Sequence, residues 1–195
     1  EDQVMVASPN GQQQLLFLGG GGPSQNAVAM TSSDDGLAWS EPFELPASLS
    51  GSSYRAGYLP NGRLLVSFWD THRFSPTRGD FVVWVGTFDD IMNQREGDFT
   101  CRLVDTEDLP LEVGNVGLTI GGDGLIQATG SYRIEGGSQP VIVQLNFSAG
   151  DLDALVPTRG FQIPLIDLDG EKQRQVIVDR EQDQYLGHVT TTLLE

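Results

Sequence analysis

The chain has 195 residues, with 27 acidic side chains against 11 basic ones and a formal net charge of −16. A surface this acidic repels phosphate backbones, which argues against a nucleic-acid partner, and no apolar run reaches the roughly 18 residues of a membrane-spanning helix. One cysteine, Cys101, and two histidines leave no internal disulfide and no Cys-based metal site, so no metal or other cofactor is expected.

In chain order, Asp2 to Ser8 reads as a strand, Pro9-Asn10-Gly11 as its turn, and Gln12 to Leu18 as the returning strand, since Asn-Gly between apolar runs marks a hairpin. Gly19 to Pro23 is a loop. No Lys-Ser/Thr or helical pattern follows it, so it is not a phosphate cradle. Asn26 to Thr31 and Glu41 to Leu45 complete a four-stranded up-and-down sheet. The order repeats with Tyr54 to Leu59, the turn Pro60-Asn61-Gly62, Arg63 to Trp69, Phe81 to Phe88, and Phe99 to Val104. A third round runs from Val116 through Gly122-Asp123-Gly124 to Thr129, then Pro140 to Phe147. A turn at Asp151 to Leu155 and a linker-like stretch, Thr158 to Lys172, lead to a fourth strand at Gln173 to Asp179. Tyr185 to Leu194 reads as the leading strand of another unit. Turn glycines at 11, 62 and 124 are separated by 51 and 62 residues, spacings expected of propeller blades. The reading is therefore all-β: a partial propeller over residues 1–195, with blades at about 1–46, 53–105 and 113–180 and a leading strand at 185–194.

Between the third and fourth strands lies Ser32-Ser33-Asp34-Asp35-Gly36-Leu37-Ala38-Trp39, which fits S-x-D-x-G-x-x-W. Asp34 can accept from backbone N–H groups of its own turn, Gly36 can take a positive φ, and Trp39 can fold over the reversal. An ordinary Asp-Gly hairpin followed by a Trp is the plainer alternative. The pattern resembles the Asp-box (BNR repeat) of sialidases, a structural turn without chemistry. Residues 61–72, 75–80 and 83–91 are similar to later blades of the bacterial exo-α-sialidase family, and the likeness extends more weakly over 1–156. Residues 174–194, with Asp179-Arg180-Glu181 and Tyr185-Leu186-Gly187-His188, resemble the opening of the same family's propeller. The order here, late blades before the opening strand, looks like a permutation, a tandem junction or an excised half.

The resemblance implies a six-bladed propeller and a glycoside hydrolase for terminal sialic acid or a related acidic sugar. It implies three arginines gripping the sugar carboxylate, a Tyr nucleophile paired with a Glu, and an Asp acid/base. The matching candidates are Tyr132, Glu112 and Asp70 for catalysis. For substrate binding they are Arg55, Tyr54, Trp69, His72, Arg73, Arg78, Arg133 and His188; Ser32, Asp34, Gly36 and Trp39 form the structural turn. Each has a plainer reading: Arg55 as a rim arginine, Asp70 as a loop cap. Gly19 to Gly22 and Trp69 stand where the family tends to place arginine. The alternative is accordingly a non-catalytic carbohydrate-binding or scaffold propeller. Three blades leave apolar faces at both ends, so a homodimer completing the ring is expected. The resemblance favours a secreted or periplasmic location, while no signal-peptide pattern opens this sequence.

Overall fold

The computed structural model describes residues 3–20, 26–106, 111–134, 139–155, 165–167 and 175–179. Three antiparallel sheets follow one another along the chain. The first contains β1 (Val4–Ala7), β2 (Gln14–Gly20), β3 (Ala27–Ser32) and β4 (Phe43–Glu44), paired in that order. The second is β5 (Gly51–Tyr58), β6 (Leu64–Asp70), β7 (Phe81–Gly86) and β8 (Phe99–Val104). The third pairs β9 (Leu111–Ile120), β10 (Leu125–Ile134), β11 (Pro140–Ser148) and, beyond β11, β13 (Gln175–Asp179). One further strand, β12 (Leu165–Asp167), runs parallel to β8 at the edge of the second sheet. It lies in the stretch read as a linker and, by number, within the span assigned to the third unit.

The hairpin turns at Gly11, Gly62 and Gly124 have φ of 69°, 84° and 83°, the left-handed region a glycine enters without a Cβ clash. Two short helices interrupt the strands. α1 (Phe88–Met92) begins where the sequence suggested a strand continuing to Phe88. Thr87 and Asp90 close a reciprocal capping box there, satisfying two backbone donors that a strand would have paired otherwise. α2 (Ala149–Leu155) covers the expected turn at Asp151 and starts two residues earlier.

The sheets stack face to face, and β6 shows why. All seven of its residues are buried, the continuous pattern of a strand covered on both sides. Leu64, Val66 and Phe68 join Leu15, Phe17 and Trp84 in a core shared with the first sheet. Leu65 and Trp69 join Phe81, Val83, Ala128 and Leu145 in a core shared with the third. Cys101 is a buried thiol, outside any disulfide, packed in that second core.

The outer faces differ. On the first sheet Met5, Leu16 and Met30 form one cross-strand row, and Met5 is 58% exposed. On the third, the row outside the core carries Thr119, Gln127, Thr129, Gln144 and Asn146. The outer row of the first sheet is thus the more apolar of the two. Strand alternation puts Ile126, Ala128, Val141, Val143, Leu145 and Phe147 on the inner side, while Leu125 and Ile142 lie on the outer one.

Candidate functional site

A cleft of about 260 Å³ opens beside the second sheet, beneath the loop joining β6 to β7. Its wall includes Asp70 at the end of β6, His72, Phe74 and Thr77 from that loop, Ser48 from the turn after β4, Glu96 from the approach to β8 and Thr100 within β8. Asp70 organises the loop. Its Oδ2 accepts hydrogen bonds from the hydroxyls of Ser75 and Thr77, the latter at 2.6 Å, and its Oδ1 accepts the His72 N–H at 2.9 Å. Across the cleft Glu96 is tied down by Ser48, whose N–H donates to the carboxylate at 2.9 Å and whose hydroxyl donates to the Glu96 carbonyl at 3.0 Å. Phe74 stands 78% exposed at the rim, with the Arg73 guanidinium carbon 5.3 Å from its ring centre.

Of the residues anticipated from the sequence, Asp70 and His72 come together in this cleft. Arg73 and Arg78 lie on the same loop, exposed. Asp70 is 5% exposed and its carboxylate is engaged in holding the loop.

Tyr54 is not at a surface. An extra residue bulges β5 between Ser52 and Arg55, where Ser53 has φ 58°, and this turns Tyr54 into the core between the first two sheets. It is 1% exposed, packs between Phe17 and Phe68, accepts the Gly51 N–H at 2.6 Å and donates to the Leu49 carbonyl at 2.9 Å. Burial pushes its phenol well above the ordinary range. The same bulge leaves Arg55 half-buried on the opposite side, its guanidinium donating to the Tyr54 carbonyl at 2.7 Å.

Trp69 is fully buried rather than available for stacking on a sugar. It meets Phe81 and, edge-on at 5.9 Å, Tyr132. Glu112 and Tyr132 do not form a nucleophile–base pair. Glu112 is the cross-strand partner of Arg133, 3.8 Å from it, while Tyr132 is opposite Val113, so the two project from opposite faces of the sheet. Arg63, Arg95 and Arg102 are also ion-paired, with Asp153, Asp90 and Asp80 respectively. His188, like the strand expected at 185–194, lies outside the described residues.

The turn after β3 is closed by its own side chains. Ser32 donates to Asp34 Oδ1 at 2.7 Å and accepts the Gly36 N–H at 3.0 Å, while Ala38 N–H donates to Asp34 at 2.9 Å. Asp35 and Gly36 both have positive φ, 59° and 82°. The half-buried Trp39 lies over the turn and donates through Nε1 to the Gly36 carbonyl at 3.1 Å. The Ser32 hydroxyl is the main cause of an Asp34 carboxyl held below its ordinary 3.8, with the Ala38 N–H next.

Sequence reasoning missed Phe74, Thr100, Glu96 and Ser48. The available signal was an aromatic placed inside a polar loop; the other three meet only through the fold. Among the described residues no three His, Cys, Asp or Glu side chains are grouped to hold a metal ion. Among them, too, no helix is long and apolar enough to cross a membrane.

No family model and no curated protein matches the chain. Among solved structures it is similar to a xylan β-1,4-xylosidase from Bacillus halodurans C-125, at 14% identity and a TM-score of 0.46. The likeness covers 76% of this chain and 28% of that one.

Proposed function

We propose that this chain is part of a sialidase-type β-propeller and that its role there is to recognise a sugar without cleaving it. The observation that carries the reading is the Ser32–Trp39 turn, where serine, aspartate, glycine and tryptophan of the S-x-D-x-G-x-x-W pattern bond to one another within the turn. It joins the last two strands of an up-and-down sheet, and two further antiparallel sheets stack upon that one. Support for a carbohydrate partner comes from the sequence resemblance over 61–91 and 174–194 and from the cleft beside Asp70.

Hydrolysis of a sialoside needs an activated nucleophile and an acid beside the leaving oxygen. With Tyr132 and Glu112 on opposite faces and Asp70 holding a loop, these described residues are not arranged for either part. Arg55, Arg73, Arg78 and Arg133 remain the residues for an acidic sugar if a hydrolytic site forms in a larger assembly. A six-bladed ring needs more sheets than these, and a second copy of the chain is one source, docked through the row of Met5, Leu16 and Met30.

The test is a pair of assays on the same preparation, glycan binding by calorimetry and release of an aryl leaving group from an aryl sialoside. Binding with no more than trace release is expected. Robust turnover would return the chain to the hydrolases, and absence of binding to every glycan would leave a scaffold role. Sedimentation at micromolar concentration, expected to give a dimer that Met5→Lys weakens, checks the assembly separately.

A further inference from the structure

We infer that the cleft beside Asp70 is a binding subsite for a single uncharged sugar ring, with Phe74 as its stacking platform. The inference rests on the carbohydrate reading and names the class of sugar. A pyranose offers an apolar C–H face and a rim of hydroxyls, and the cleft offers both complements.

Phe74, Ala47 and Pro76 supply apolar surface, and Phe74 has the exposure that stacking requires. Ser48, Ser75, Thr77 and Thr100 bring hydroxyls, while Glu96 brings a carboxylate that accepts from sugar O–H groups. Thr100 gives an independent sign. It is 9% exposed, yet its Oγ1 has no hydrogen-bond partner among the described residues. A buried hydroxyl left unpaired is unfavourable, and a turn of the Thr100 side chain toward the cleft would let a ligand hydroxyl satisfy it.

The charge decides which sugar. The cleft wall carries the carboxylates of Asp70 and Glu96 and no lysine or arginine. A sugar acid would place its own carboxylate against these two, in a chain of net charge −16, with the Arg73 guanidinium out at the rim over Phe74 rather than in the wall. A cationic ligand is also poorly served. The Arg73 guanidinium, 5.3 Å from the Phe74 ring centre, already sets a positive charge at the rim and repels a second one. The volume of about 260 Å³ lies just under the usual range for ligand pockets, roughly 300 Å³ and above, which suits one ring better than an extended chain.

The experiment titrates the full chain with methyl β-D-glucopyranoside, methyl β-D-xylopyranoside and the methyl glycoside of N-acetylneuraminic acid, followed by NMR or calorimetry. Wild type is expected to bind at least one neutral glycoside and to prefer it to the acidic one. Phe74→Ala, a change at an exposed rim position, is expected to weaken that binding about tenfold, the scale for removing an aromatic anchor. Thr100→Val keeps the shape and deletes the unpaired hydroxyl. It is expected to weaken binding severalfold while the melting temperature stays level or rises, which a merely structural hydroxyl would not do. Binding of the acidic glycoside that depends on Arg55 or Arg133 and ignores Phe74→Ala would overturn this inference and leave the carbohydrate reading standing. No binding of any of the three would overturn the inference, and failure with a wider glycan panel would take the carbohydrate reading with it.

Discussion

Glu112 faces Arg133 across β9 and β10, 3.8 Å away, and so points away from the face on which Tyr132 meets Trp69. Both members of the ion pair are well exposed, at 62% and 38% of their side-chain surface. Such a pair contributes about 0–1 kcal/mol. Glu112→Gln is therefore expected to shift the denaturation midpoint little. Tyr132→Phe is expected to leave any trace release from an aryl sialoside unchanged. Loss of that release in both variants would mean that the two residues act together in an assembled state.

Asp70 predicts the opposite kind of behaviour. Its carboxylate takes three donors from the following loop in a nearly closed setting. Asp70→Ala strands those donors, and roughly 1–3 kcal/mol of stability should be lost, the range for a buried polar group left unsatisfied. Amide exchange from residues 71–79 should rise in step. A loop that keeps its protection in the variant would show that Ser75 and Thr77 hold it by other means.

The strands and their turns were legible in the sequence because they are local. Asn10-Gly11 and Asn61-Gly62 announce hairpins, and the alternation around them sets which residues enter the core. The candidate site was less legible. Tyr54 changed sides because one residue bulges β5, and a one-residue change in register inverts every face beyond it. Trp69 and Asp70 are adjacent at the end of β6, and the stacking of sheets on both faces buries the first and leaves the second beside a cleft. Nothing in the sequence ties Ser48 to Glu96, which only the fold brings together, each contributing one side-chain and one backbone group to the pair of bonds. The capping box at Thr87 and Asp90 could have been read, but a strand pattern running into Phe88 masked it.

Gly51 gives a packing prediction. A Cβ there would overlap the Phe68 ring and the Trp69 carbonyl, and neither can retreat from a buried strand. Gly51→Ala should destabilise by about 1–3 kcal/mol, the usual range for an overpacked core. The same change at Gly122, where nothing lies within 4 Å of the added methyl, serves as the control. Equal midpoints for the two variants would contradict the close approach of β5 and β6.

Trp39 is half-buried, which lowers what its removal should cost below the 3–5 kcal/mol of a core tryptophan. Trp39→Ala is expected to destabilise by about 1–2 kcal/mol, from lost ring contact over Gly36 and the lost bond to its carbonyl. Trp39→Phe should recover the ring contact and not the hydrogen bond, giving an intermediate midpoint. If both variants match wild type in urea, the turn does not depend on its tryptophan.

The pH dependence of the same turn separates its charge from its shape. Asp34 has a carboxyl held below its ordinary 3.8, chiefly by the Ser32 hydroxyl and then by the Ala38 N–H. A lowered folded value means that the unfolded chain binds the proton first. Asp34 therefore stabilises the fold above about pH 3.8, and this contribution is lost as pH falls through the lower folded value. Asp80 has the reverse sign: burial raises its carboxyl above 3.8, although the Thr106 N–H and Arg102, 2.8 Å away, act against that. Its contribution is fully present below pH 3.8 and declines as pH rises through the raised folded value. Urea titrations from pH 2.5 to 7 on wild type, Asp34→Asn and Asp80→Asn should show these opposite trends. The gap between wild type and Asp34→Asn should widen with rising pH, and the gap to Asp80→Asn should narrow. Parallel curves for Asp34→Asn would mean that its carboxylate charge has no part in closing the turn.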